Sequence, residues 1–164
     1  MTCDPRGMPT LVLLRHAKAE PHHPDDHARV LAARGRTDAA AAREWLRSKG
    51  ILPERVVVST ASRTRETWEL ASVGNVKPIF DGRVYEASAE DLVEVLRETP
   101  EGTGTVVLVG HNPGIELLAW QLDDAEEARD QTNRGLPTAA IAVFEVDGWS
   151  DLAHGRLTEL AAPR

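Results

Sequence analysis

Cysteine is almost absent from this chain: Cys3 is the only one in 164 residues, so no internal disulfide can form. Long apolar runs are missing too. Wholly aliphatic stretches such as 11–14 and 106–109 fall far short of the about 20 residues that a membrane-spanning helix needs. The opening residues 1–6 lack the apolar centre of a secretory signal, and together with the lone cysteine this predicts a cytoplasmic protein. Basic residues are outnumbered, 19 against 26 acidic ones, for a net charge of −7. That balance offers no broad cationic face, so neither nucleic acid nor a membrane surface is expected as a partner. A few arginines gathered in one pocket would still hold a small anion. There is no internal repeat and no linker. Cys3 stands in a flexible leader, residues 1–9, and reads as a tail thiol.

Apolar residues make up 41% of the chain and charged ones 27%. At this length they support one core and a single soluble domain, residues 10–164. A strand buried on both faces reads as a short continuous apolar run, and 10–14, 55–59 and 105–109 have that form. Helical patterns alternate with them. The first, 35–48, carries Ala39, Ala42, Trp45 and Leu46 on one side and meets Gly50 as its stop. The second spans 62–71. The third follows the capping-box pair Ser88 and Asp91, with Leu92, Val95 and Leu96 as its apolar stripe. The fourth has Asn112 as N-cap and Pro113 as first helical residue, then Ile115, Leu118, Ala119 and Leu122 at i, i+3, i+4 and i+7. A brief strand at 79–80 and late strands at 141–146 and 156–161 complete the order. It predicts an α/β fold, a three-layer α/β/α sandwich around a mostly parallel sheet with an antiparallel edge strand.

In such a sheet ligands bind beyond the carboxyl ends of the strands. Arg15 and His16 end the first strand here, Ser62, Arg63, Thr64 and Arg65 follow the second, and Gly110, His111 and Asn112 close the one before the fourth helix. His16 and His111 lie 95 residues apart, yet each occupies the first turn after a parallel strand, which predicts that they meet with Arg15 and Arg63 at one edge. That group suits phosphoryl transfer, which asks for positioning and for stabilisation of charge on three equatorial oxygens. Arginine forks bind phosphate oxygens in pairs, and the start of the Pro113 helix adds a dipole of the right sign. A neutral imidazole attacks phosphorus, and neighbouring cations keep it from protonating. Of the two histidines, His16 is the better nucleophile.

These residues carry a resemblance. Leu13-Leu14-Arg15-His16-Ala17 resembles the signature of the histidine phosphatase, or phosphoglycerate-mutase-like, superfamily, whose first strand ends in arginine, histidine and glycine. Residues 59–67, from Ser59 through Arg63 to Thr67, resemble its second motif, and Val109-Gly110-His111-Asn112-Pro113 the motif around its second histidine. The short length, Leu31 with Arg34 and Gly35, and the form of the last motif are most similar to the small SixA-type phosphohistidine phosphatases. The likeness runs from about residue 11 to residue 146. It implies a phosphatase without metal or cofactor, acting on phosphohistidine in proteins. His16 would carry the phosphoryl group transiently, while Arg15, Arg63 and His111, with Asn112 beside them, bind the phosphate. Glu86 is the nearest candidate for an acid at the leaving group. Ala17 departs from the usual glycine and Thr60 from the proline of larger members; neither change removes a reacting group.

Two rival readings stay open. A phosphatase for small phosphate monoesters would need a good acid near the leaving oxygen, so Glu86 separates it from the first. A silent module that grips phosphohistidine proteins without hydrolysing them would not need an intact His16 and His111. The oligomeric state is not fixed by the sequence, and a monomer is compatible with each reading. Among the remaining polar residues, Arg65 and His154 are expected at the surface, and Lys18 either steers substrate or is simply solvated. His22, His23 and His27, with Asp25 and Asp26, fill a proline-broken connection long enough to act as a lid; it has no fixed metal geometry. Trp45, Trp68 and Trp120 are expected in the core, and 123–127 as a solvated acidic face.

Overall fold

A computed structural model describes residues 7–123 and 135–164 of the chain. Cys3, residues 1–6 of the leader and residues 124–127 of the acidic run lie outside the described residues. In chain order the elements are β1 (Thr10–Arg15), α1 (Ala33–Ser48), β2 (Arg55–Ser59), α2 (Ser62–Ala71), β3 (Ile79–Asp81), α3 (Ala89–Arg97), β4 (Thr105–Gly110), α4 (Gly114–Leu122), β5 (Ile141–Val146) and β6 (Gly155–Ala161). Short 3-10 turns at Asp26–Ala28 and Gly82–Val84 interrupt two of the connections.

The six strands form one sheet in the order β3-β2-β4-β1-β5-β6. The first four run parallel; β5 pairs antiparallel with β1, and β6 antiparallel with β5. Successive side chains on a strand point to opposite faces, and both faces here are covered. Val12, Leu14, Val56, Val58, Val107 and Val109 pack with Ala42, Leu46 and Trp68 from α1 and α2. On the other face Leu11, Leu13, Val106 and Leu108 pack with Leu92 and Leu96 of α3 and Ile115 and Leu118 of α4. Burial on both sides is why these strands are continuous apolar runs. The expected three-layer sandwich is thus present, and its antiparallel edge comprises both β5 and β6.

α3 begins with the expected reciprocal cap: Asp91 N–H donates to Ser88 Oγ and Ser88 N–H to Asp91 Oδ2. α4 differs from expectation. Pro113 takes the flanking place, Gly114 opens the helix and no side chain caps it. Asn112 does not serve as N-cap: its amide N–H groups donate to Glu116 and Leu136, and its Oδ1, the atom that would cap the helix, accepts no hydrogen bond among the described residues. Gly114 itself admits no side chain, since a Cβ there would lie 2.4 Å from the Ala87 carbonyl oxygen.

Trp120 is also not a core residue: it is 45% exposed. It stands five positions after Ile115, which turns it away from the stripe that α4 buries. Trp149 takes the core role instead, fully buried, with its indole N–H donating to the Thr103 carbonyl at 2.8 Å. Asp123, expected on a solvated face, is buried, because a bridge to Gly155 draws it against the start of β6. No helix among the described residues is long and apolar enough to cross a membrane.

Gly35 governs how α1 approaches the segment after β1. A Cβ at this position would sit 2.0 Å from the Lys18 carbonyl oxygen, which also accepts from Ala32 N–H at 2.9 Å. The clash is with backbone, so it cannot be relieved by a rotamer change. Gly35→Ala is expected to destabilise the fold by about 1–3 kcal/mol, the usual range for forced overpacking. Chemical denaturation monitored by circular dichroism checks this, and an unchanged midpoint would remove the constraint.

Candidate active site

β1 and β4 are neighbours in register, with Arg15 opposite Gly110. The next residue on each strand is a histidine, so the pairing alone brings His16 beside His111. Their ring centroids are 5.3 Å apart. β2 flanks β4 on its other side and ends in Ser59, whose Oγ lies 2.7 Å from His111 Nε2. α2 starts three residues later and carries Arg63 in its first turn. The crevice therefore lies where the crossover from β1 and that from β4 leave the sheet in opposite directions.

His16 is 8% exposed. Its Nδ1 lies 2.7 Å from the Ala17 carbonyl oxygen, which can only accept, so Nδ1 carries the proton and Nε2 presents its lone pair. Burial, then the positive charges of Arg63 and Arg15, lower the pKa of His16 to about 4. The imidazole is neutral at pH 7. Burial likewise lowers His111, to about 3, with His16 and Arg63 adding to the effect. Ala17 donates its N–H to Thr67 Oγ1 at 2.9 Å, and Thr67 Oγ1 donates to the Arg63 carbonyl at 2.6 Å. One threonine thus ties the turn after His16 to the helix that holds Arg63.

Several nitrogens of this group have no partner among the described residues. Arg15 Nε, Arg63 Nε and His111 Nδ1 are buried without a hydrogen bond. Leaving such atoms unsatisfied costs about 1–3 kcal/mol each, which an anion accepting from them would recover. Arg15 is anchored by Nη1 to the Leu136 carbonyl at 2.8 Å. Asn112 donates to that same oxygen at 3.0 Å and to Glu116 Oε1 at 3.2 Å, and Glu116 also accepts from Leu136 N–H. Both amide hydrogens of Asn112 are used in this way. Its observed role is to hold the segment around Leu136 against Arg15.

Arg63 is 6% exposed and is held by the 3-10 turn of the long polar connection. Its Nη1 donates to the Asp26 carbonyl at 2.9 Å and its Nη2 to Asp26 Oδ2 at 3.1 Å. Tyr85 donates its hydroxyl to the same Oδ2 at 2.6 Å. The Tyr85 ring meets His111 edge-on at 5.6 Å and His27 at 4.9 Å. His27 Nε2 lies 2.8 Å from Thr60 Oγ1, and His23 Nδ1 accepts from Asp25 N–H. Nothing in the sequence pattern assigns Asp26, Tyr85 and His27 to this group. The one usable signal is the length and polarity of the 20–32 connection.

Glu86 is exposed, next to Tyr85, with a left-handed backbone (φ 56°). Lys18 is exposed. Arg65 lies at the surface, its guanidinium 4.2 Å from the Phe80 ring centroid, and His154 is exposed as well. Among the described residues no three His, Cys, Asp or Glu side chains are grouped to hold a metal ion.

Comparison with known proteins bears on the family and the fold. The family described as Histidine phosphatase superfamily (branch 1) matches residues 11–102. An uncharacterized protein of Mycobacterium leprae is 33% identical over 163 residues, covering 92% of this chain and 100% of that protein. The solved structure of the "Putative Phosphohistidine Phosphatase SixA" from Nakamurella multipartitia is similar with a TM-score of 0.89 and 31% identity, over 98% of this chain and 99% of that one. A second, the "putative phosphohistidine phosphatase SixA" from Agrobacterium tumefaciens, has a TM-score of 0.82 and 26% identity, over 95% of this chain and 99% of that one.

Proposed function

The chain belongs to the histidine phosphatase superfamily, and from that premise we propose that it moves a phosphoryl group from phosphohistidine on a protein to His16 and then to water. The observation that carries this reading is the buried, neutral His16, its Nδ1 proton held by Ala17, set among nitrogens of Arg15, Arg63 and His111 that have no partner among the described residues. A lone pair at Nε2 attacks phosphorus. The arginine N–H groups stabilise charge on the equatorial oxygens as the bond to the leaving group lengthens. Ser59 Oγ, by donating to His111 Nε2, places the remaining proton of that ring on Nδ1, where it donates to a phosphate oxygen. Asn112 and Glu116 support the wall behind Arg15. Water then attacks the phosphorus of phosphorylated His16, the P–N bond breaks and inorganic phosphate leaves.

The choice of substrate rests on the leaving group. An imidazole departs with little help, whereas an alkoxide demands an acid worth about 10² to 10⁴ in rate. Glu86, exposed and turned into a left-handed conformation, is a weak candidate for that acid. Glu86→Gln is therefore expected to cost less than about tenfold on a phosphohistidine peptide. The measurement pairs wild type and variant on that peptide and on an alkyl phosphate ester. A faster ester reaction that the substitution erases would replace the phosphohistidine reading with a small-molecule phosphatase.

A further inference from the structure

Asp26 is a carboxylate beside a site for anions, an arrangement that works against binding phosphate. Arg63 donates to both its backbone oxygen and its Oδ2, so the carboxylate sits next to a guanidinium that the proposed reaction needs. Tyr85 also donates to Oδ2, and Arg29 Nη2 donates to Oδ1 at 3.2 Å. The groups that donate to its carboxylate come from three separate segments: Arg29 from its own connection, Arg63 from α2 and Tyr85 from the far end of the Gly82–Val84 turn. A carboxylate has about four acceptor positions, and these three bonds leave one on Oδ1. The side chain of Asp26 is half-exposed, unlike that of Arg63. It opens onto a recess of about 530 Å³ shared with His22, His23 and Arg29.

A plain phosphate ester brings only negative charge to this place, and Asp26 repels it. A phosphohistidine differs in one respect. The ring nitrogen that does not bear phosphorus is basic, and once protonated it carries an N–H and a positive charge within a ring's width of the phosphoryl group. On the reading that the enzyme acts on phosphohistidine, we propose that Asp26 determines specificity by accepting a hydrogen bond from that distal N–H, so that the protonated substrate ring is the form bound. The Tyr85 hydroxyl, followed by Arg63, holds the Asp26 carboxyl down at about 2, which keeps the acceptor ionised at any working pH.

The transfer then balances without an acid at the leaving atom. The Nε2 pair of His16 forms the new N–P bond. The electrons of the substrate's P–N bond stay on the substrate nitrogen, and because the other nitrogen already holds a proton the side chain leaves as neutral imidazole. Tyr85, edge-on to His111 and His27, gives the departing ring an aromatic wall. This accounts for an active site with a strongly ionised carboxylate at its mouth and an exposed Glu86 beside it.

Asp26→Asn tests the inference, because the variant keeps the size of the side chain and the backbone carbonyl that anchors Arg63 Nη1. The probes are phosphoimidazole and phenyl phosphate, assayed with full-length protein. The expected result is a fall in kcat/KM of about tenfold or more on phosphoimidazole, the worth of one hydrogen bond to a charged group, with phenyl phosphate unchanged or faster. Asp26→Ala also takes an acceptor from Arg63 Nη2, so it should slow both probes, with the larger loss on phosphoimidazole. Equal losses on both probes would mean that Asp26 acts only by positioning Arg63, and no loss on either would mean that it is not a contact; each overturns the proposal while leaving phosphoryl transfer through His16 standing. A wild type that hydrolyses phenyl phosphate and spares phosphoimidazole would overturn the phosphohistidine reading as well.

Discussion

His16→Ala is expected to abolish turnover and leave the fold intact. The backbone bonds of His16, from its N–H to the Gly110 carbonyl and from Ala139 N–H to its own carbonyl, survive the substitution. The side chain contributes one further bond, to the adjacent Ala17 carbonyl. The stability lost should stay within the common range of about 0.5–3 kcal/mol. The chemical loss is of another order, since no other imidazole among the described residues is so placed: His111 Nε2 is engaged with Ser59. Acid-quenched wild type should contain an acid-labile phosphoenzyme that the variant lacks, and finding it undiminished in His16→Ala would end the assignment. The pH profile gives a second reading. A pKa lowered to about 4 means that His16 is unprotonated, and nucleophilic, at every pH above that value. The first chemical step in wild type should therefore hold its rate from neutrality down to about pH 5 and fall as pH drops through about 4, whereas an unperturbed histidine would already lose it near 6.5.

How much of this architecture is legible in the sequence follows from the range of each interaction. His16 and His111 are readable as partners because both follow parallel strands, and adjacent strands in register place their next residues together. Arg15 and Arg63 come with the same strand ends. The capping box of α3 is readable because it is a contact across three residues. Asn112 shows the limit of such local reasoning. Its spacing marks the start of α4 within two residues, but Leu136 arrives from 24 positions away and accepts from its amide N–H, so the side chain is held for that contact and the oxygen a local rule assigns to a cap stays unbonded. Asp26 and Tyr85 are 59 residues apart on two irregular connections, and no periodicity links them. The exposure of Trp120 is open to helical periodicity, since it stands five positions after Ile115, but the burial of Trp149 escapes the sequence for a similar reason. Trp149 is buried through Thr103 and Glu101, which approach from a distant stretch of the chain.

Arg63→Ala is expected to lower the rate of phosphoryl transfer by at least about 10²-fold, as removal of a preorganised donor at a developing charge does. Arg63→Lys should recover little of it. An ammonium supplies one point of charge, whereas the guanidinium here must give one N–H to the Asp26 carbonyl, one to Asp26 Oδ2 and the rest to phosphate. Loss of rate alone would not separate direct stabilisation from a general loosening of the 3-10 turn, but the acid limb of the pH profile does. The charge of Arg63 is one of the groups that lower the pKa of His16, after burial, and Asp26 loses its partner when that charge is removed. Both changes favour protonated His16, so the limb should move up from about 4 toward the ordinary histidine value. A variant with slowed turnover and an unmoved limb would place Arg63 outside the field of the nucleophile, and one with near-normal kinetics would remove it from the site altogether.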